Sequence, residues 1–220
     1  MKKNSDNLIL LCMIFGISLV IANVVTGKLI DTGIPFMGSN ITLPGAAVCY
    51  AVTYLCTDVI GEIWGKAEAN MCVRFGLLGQ ILATLLIIFT QYLPAADATM
   101  QEAYTMLLGQ NWVFVIGSLT AYYLSQKWDV MVFHKIREHQ IEANGNNKNR
   151  WLWNNISTLT SQVIDTIVFI GISFGLGFGW FFDSNMWLPL ITMMIGQYIL
   201  KAILAVADTP IFFWLTRSNE

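Results

Sequence analysis

Six stretches of this chain, 8–26, 43–64, 73–93, 111–133, 155–180 and 186–215, are predominantly apolar over about 18 residues or more, the length a helix needs to cross the hydrocarbon core of a bilayer. Inside that core only a helix or a closed barrel satisfies its own backbone hydrogen bonds. The spacing therefore predicts an all-α membrane protein of six transmembrane helices, one integral membrane domain over 1–220. Composition agrees: 55% of the 220 residues are hydrophobic and 12% charged, against roughly 25% charged in an average soluble domain. With a mean hydropathy of +0.58, the chain has too few charges to cover a soluble globule.

Lys2 and Lys3 precede an apolar run from Leu8 to Val25. This is the charge order of a signal peptide, but the run exceeds the roughly 7–15 residues of a cleaved segment, so it is read as a retained first span. Asp208-Thr209-Pro210 should tilt or break the sixth span, because proline removes a backbone donor. Gly175, Gly177 and Gly179 should loosen the end of the fifth, and Pro35, Pro44 and Pro94 punctuate loops or span ends. Residues 94–111 carry a helical apolar stripe beside Asp97, Glu102 and Gln110, the pattern of a short interfacial helix. Segment 134–150 is polar; His134 and His139, five apart, do not share a helix face and read as solvated.

Basic residues near span ends stay on the cytoplasmic side. With the N-terminus inside, the inner segments hold Lys2, Lys3, Lys66, Arg74, Lys127, Lys135, Arg137, Lys148, Arg150 and Arg217, whereas the outer loops hold Lys28. Both termini are therefore expected in the cytoplasm. The net charge of −2 offers no electrostatic basis for a nucleic-acid partner. Cys12, Cys49, Cys56 and Cys72 have neither Cys-x-x-Cys spacing nor an adjacent histidine, so no metal site or cofactor is expected from them.

Polar side chains within the spans carry more information. Tyr50, Tyr54, Asp58 and Glu62 recur every four residues and form one helix stripe. Asn155, Thr158, Gln162 and Asp165 form another, Tyr122, Gln126 and Asp129 a third, and Gln197, Lys201 and Asp208 a fourth. Such groups can act as helix–helix glue, and Lys201 with Asp208 or Asp165 would make a reasonable structural ion pair. Glue alone, however, is met at less desolvation cost by Ser, Thr or Asn. Five acids and a lysine within spans point instead to a water-accessible site between helices.

Ser125-Gln126-Lys127-Trp128-Asp129-Val130-Met131-Val132-Phe133 and Ser161-Gln162-Val163-Ile164-Asp165-Thr166-Ile167-Val168-Phe169 share five residues in register, 36 positions apart. Six spans divided into halves of three necessarily give opposite topologies, the arrangement of many secondary transporters. Asp58 and Asp165 then fall in the middle span of each half. Enzyme signatures are missing: there is no His-Glu-x-x-His, Gly-x-Ser-x-Gly or P-loop. Asp58 with Asp165 could imitate an intramembrane aspartyl protease, but without its flanking motifs.

Thr57-Asp58-Val59-Ile60-Gly61-Glu62-Ile63-Trp64-Gly65, Ser125-Gln126-x-x-Asp129-Val130-x-Val132-Phe133, Ser157-Thr158-Leu159-x-x-Gln162-x-x-Asp165-Thr166, Lys201 and Asn23 together resemble the queuosine precursor transporter family, also called the vitamin uptake transporter family. The resemblance covers nearly the whole chain. It implies a non-enzymatic, multi-pass protein of the bacterial cytoplasmic (inner) membrane that imports preQ0 or preQ1, deazaguanine bases destined for tRNA modification. The partners it implies are that small molecule and the lipid bilayer, with a homodimer as one candidate assembly.

The chemistry is compatible. A guanine-like base offers two adjacent N–H donors to a carboxylate and a carbonyl acceptor to an amide or ammonium. Asp165 or Asp58 could take the donors, and Gln126, Gln162, Asn23 or Lys201 could reach the carbonyl. Tyr54, Tyr122, Phe169 and Trp64 are candidate stacking faces. The expected substrate-binding set is Asn23, Tyr54, Asp58, Tyr122, Gln126, Asp129, Thr158, Gln162, Asp165, Gln197 and Lys201, with Asp58, Glu62 and Asp208 as candidates for proton coupling. Two rivals remain: the substrate-binding subunit of an energy-coupling-factor transporter, for which Ser18, Ala22 and Gly27 are candidate docking residues, and a membrane enzyme.

Overall fold

The structure, a computed structural model, describes residues 2–36, 38–144, 150–207 and 209–216. Helix α1 (Ser5–Val25) starts where the Asn4 side chain accepts a hydrogen bond from the Asn7 amide at 2.8 Å, satisfying one of the donors a helix N-terminus leaves open. A β-hairpin follows, β1 (Leu29–Phe36) antiparallel to β2 (Ser39–Pro44). Helices α2 (Ala47–Ile63) and α3 (Lys66–Gln91) meet at Gly65, whose φ of +106° suits a residue without a Cβ. The short α4 (Ala98–Leu108) lies where the interfacial helix was expected, capped by Asp97. None of its residues is buried, and the Tyr104 hydroxyl donates to Ile87 O of α3 at 3.2 Å.

The second half contains α5 (Asn111–Asn144), α6 (Arg150–Ile170), a π-helical turn (Gly171–Leu176), two 3-10 turns (Trp180–Phe182, Ser184–Met186), α7 (Trp187–Ala207) and α8 (Thr209–Thr216). The loosening expected at the end of the fifth run takes the form of that π-turn, and Gly179 leaves it at φ +72°. The sixth run forms α7 and α8 on either side of residue 208, which lies outside the described residues together with the break expected there.

Four helical segments among the described residues, Ser5–Val25, Lys66–Gln91, Leu159–Leu176 and Ser184–Leu204, are long and apolar enough to cross a membrane. The protein is thus a mostly helical, multi-pass membrane protein. The remaining two apolar runs form α2, which has 17 residues, and α5, which has 34 and continues well past the apolar part. Large apolar side chains such as Ile17, Phe75, Leu82 and Phe89 stand outward, as lipid-facing residues do.

Packing falls into two clusters. Leu11, Phe15, Leu19, Cys56, Val59, Ile60, Ile63 and Cys72 join α1, α2 and α3. Phe114, Ala121, Phe169, Ile170, Phe174, Leu190 and Met193 join α5, α6, the π-turn and α7. The Phe15 ring occupies the space a Cβ on Gly76 would fill, a close approach that small residues permit between spans.

The hairpin was not anticipated, because residues 27–42 read as an outer loop with Pro35. Asp31 accepts from the Gly33 amide at 2.8 Å and from Asn40 Nδ2 at 3.0 Å, and Gly33 at φ +69° supports the irregular register between Asp31 and Pro35. Strand β2 packs on α7, with Ile41 and Leu43 over Gly196.

Candidate functional site

A cavity of about 330 Å³ lies between the two packing clusters. The first half contributes Phe15 and Leu19 of α1, Tyr50, Thr53, Tyr54 and Thr57 of α2, and Ala69, Asn70, Val73 and Leu77 of α3. The second contributes Ser118, Ala121, Tyr122 and Gln126 of α5, Asp165 and Phe169 of α6, and Gln197 and Lys201 of α7. Helical periodicity explains the assembly: Ser118, Tyr122 and Gln126 are four apart, as are Tyr50 and Tyr54, and Gln197 and Lys201, so each helix turns one polar edge inward.

The charged element of the wall is an ion pair. Lys201 Nζ lies 2.5 Å from Asp165 Oδ2 and donates also to Thr166 Oγ1 at 3.2 Å. The lysine side chain is 8% exposed and the aspartate 27%. The ammonium is thus the more enclosed partner, and the carboxylate the one a solute in the cavity can reach. Burying such charges is tolerated when they are paired and further hydrogen-bonded, a condition Thr166 helps to meet. Of the two partners the sequence offered Lys201, Asp165 is the one observed; Asp208 lies outside the described residues.

In the same lining the Tyr50 and Tyr54 rings stack, centroids 6.4 Å apart with 25° between planes. The Tyr50 and Ser118 hydroxyls are hydrogen-bond partners, and the Tyr54 phenol lies within electrostatic reach of Asp165 and Asp58. Gln197 is 3% exposed and its Oε1 has no protein partner. The site combines flat aromatic surface, a carboxylate, an ammonium and spare amide groups, which suits a planar solute with donors and acceptors on its edge.

Among the expected binding residues, the cavity brings together Tyr54, Tyr122, Gln126, Asp165, Gln197 and Lys201. Asp58 and Glu62, further along the same stripe, are exposed beyond it. Asp129 accepts from Ser161 Oγ at 3.4 Å, linking α5 to α6. Gln162 stands one turn before Asp165 without lining the cavity, and Asn23 is fully buried elsewhere. The side chain of Thr158 lies outside the described residues, as do those of Asn155, His134 and His139. Thr53, Asn70 and Ser118 enter the site although the sequence reading did not select them. Ser118 could have been found by extending the Tyr122–Gln126 stripe one turn back, whereas Asn70 stands in a stretch read as the approach to a span.

Comparison with known proteins then gives a family. A family model described as "Putative vitamin uptake transporter" matches residues 44–215. A protein of Bacillus subtilis (strain 168) named "Probable queuosine precursor transporter" is 30% identical over 198 residues, covering 89% of this chain and 78% of the relative. No solved structure matches the chain.

Proposed function

Since the chain belongs to the vitamin uptake transporter family, we propose that it is a secondary transporter importing a queuosine precursor, a deazaguanine base of the preQ0 or preQ1 kind, across the bacterial cytoplasmic membrane. The observation that carries this reading is the Asp165–Lys201 pair in the wall of a cavity shared by the two halves of the chain. Substrate sites at the interface of two halves are the usual design of secondary transporters.

In this reading the base lies flat against Tyr54 or Tyr122. Its adjacent N–H groups donate to Asp165, whose Oδ2 is held by Lys201, and its carbonyl accepts from Gln126 or Gln197. Asn70, Thr53 and Ser118 complete the polar lining. Six spans with both termini in the cytoplasm, arranged as inverted halves, would let the halves rock about this site. Asp58 and Glu62, exposed on the same face of α2, would take up and release a proton during the cycle, with Asp208 as a further candidate. The base leaves chemically unchanged, which separates the transporter from a membrane enzyme.

The energy-coupling-factor reading loses ground on a specific observation. Ala22 is fully buried, so one of the two α1 residues that would form a docking face points into the protein. Purified protein in liposomes should accumulate a labelled deazaguanine base without any partner. A screen of purines, deazapurines and vitamins should give tightest binding to the deazaguanines. Transport that required a second protein, or binding of an unrelated vitamin in their place, would overturn the assignment.

A further inference from the structure

A deazaguanine base can carry a neutral substituent or a cationic one, and the charges of the cavity wall bear differently on the two. Among the described residues lining the cavity, Asp165 and Lys201 are the charged ones. Their charges sum to zero, and Lys201 Nζ already donates to Asp165 Oδ2 and Thr166 Oγ1. The other polar groups of the wall are hydroxyls and amides, such as Ser118, Asn70 and Gln197, and the rest is apolar, with Leu19, Val73, Leu77 and Phe169 among it. A further acid, Asp58, stands one turn beyond Tyr54, exposed and outside the lining.

A neutral base leaves this balance intact. Its N–H groups share Asp165 with Lys201, as the several lone pairs of a carboxylate allow. An ammonium on the base brings a third charge. If it takes Asp165 for itself, the Lys201 ammonium, 8% exposed, is left enclosed without a counter-ion. If it does not, the incoming cation is the unpaired one. Either arrangement sets two cations beside one carboxylate in a largely apolar enclosure, where an uncompensated charge is costly. The tyrosine faces offer the cation a π contact, but in the proposed pose one of them is already covered by the ring of the base. A charge left unpaired by the wrong ligand is a common source of specificity.

We propose, on the premise that this cavity binds a deazaguanine, that the Asp165–Lys201 pair selects a base with an uncharged substituent over one bearing an ammonium, Lys201 being the residue that sets the preference. Two bases of nearly equal size test it, hydroxymethyl- and aminomethyl-deazaguanine, with the nitrile as a second neutral ligand. Each is titrated into the full chain in detergent at about pH 7, where an alkylamine is protonated. The hydroxymethyl and nitrile bases are expected to bind roughly tenfold or more tighter than the amine. In Lys201→Met the Asp165 carboxylate loses its cation, and the order of the hydroxymethyl and aminomethyl bases should reverse. The ratio of the two affinities is the readout, because a folding defect lowers both alike. The comparison on the unaltered protein decides the matter if that variant does not fold. Equal or tighter binding of the amine there would overturn the proposal and give its ammonium to Asp58 or to water beyond the cavity; an unchanged ratio in a folded Lys201→Met would overturn the role of Lys201. Binding of none of the three bases would overturn the deazaguanine assignment itself, and this proposal with it.

Discussion

Lys201 Nζ contacts Asp165 Oδ2 across the boundary between α7 and α6, so two charges 36 residues apart in the chain form one pair in the cavity wall. Each charge is tolerable there because of the other, and the pair thus has a structural and a binding role. Asp165→Asn should weaken base binding by roughly 10- to 100-fold, the loss of a charge-assisted hydrogen bond of about 1.5–3 kcal/mol, and should also lower Tm because it leaves the enclosed Lys201 ammonium unpaired. Lys201→Met strands the carboxylate and should lower Tm, whereas the double variant Asp165→Asn/Lys201→Met should recover part of that loss. Titration calorimetry and thermal melts in detergent read the two effects. Unchanged affinity in Asp165→Asn would remove it from the site.

Asp58 should behave differently. It is exposed one turn beyond Tyr54 and does not line the cavity, so its proposed part is in the transport cycle. Asp58→Asn is expected to keep equilibrium affinity within about twofold while lowering uptake roughly tenfold, a barrier change of about 1.4 kcal/mol. Binding and vesicle uptake measured on the same preparation separate these quantities. A parallel loss of both would make Asp58 a direct ligand.

Much of this arrangement was legible in the sequence because lipid and water impose opposite demands. Apolar length revealed the helices. Stripes at steps of four placed Tyr54, Tyr122, Gln126, Gln197 and Lys201 on inward edges. Periodicity says which residues share a helix face but not where along that face a cavity ends, which is why Tyr54 lines the site and Asp58 does not. Lys201 had two carboxylates at plausible spacing, and tertiary packing brings Asp165 to it. The hairpin escaped notice because its side-chain alternation is broken by Gly33 and Pro35, and because its seat, Gly196 on α7, is far away in sequence.

The tyrosine pair provides a test of how the base is held. Tyr54→Ala should weaken binding by about 1–3 kcal/mol, the contribution of one stacked aromatic to a bound base. Tyr54→Phe keeps the ring and should stay within about threefold of the unaltered affinity, roughly 0.6 kcal/mol. If the phenylalanine variant failed as badly as the alanine one, the hydroxyl rather than the ring would be the ligand.

Gly196 is where β2 meets α7, and a Cβ there would overlap the Ile41 side chain. Gly196→Val should lift the hairpin from the helix at an overpacking cost of about 1–3 kcal/mol, although valine is otherwise acceptable in an apolar helix. Hydrogen exchange should then rise across Leu29–Pro44 with little change in α3. Protection of the strands equal to that of the unaltered protein would show that Ile41 can move aside without cost.

The hairpin should respond to acid through Asp31 of β1. Hydrogen bonds from Asn40 Nδ2 and the Gly33 amide favour its ionised form and hold its carboxyl below the usual range. A group whose folded pKa is depressed stabilises the fold above its unfolded pKa, about 3.9 for aspartate, and that contribution disappears as pH falls through the lower folded value. Hairpin protection should therefore be level between about pH 6 and 8 and decline only below about pH 4. Asn40→Ala removes the largest cause, so the Asp31 carboxyl, followed by NMR, should titrate closer to its ordinary value. An unshifted titration in that variant would assign the effect to the Gly33 amide alone.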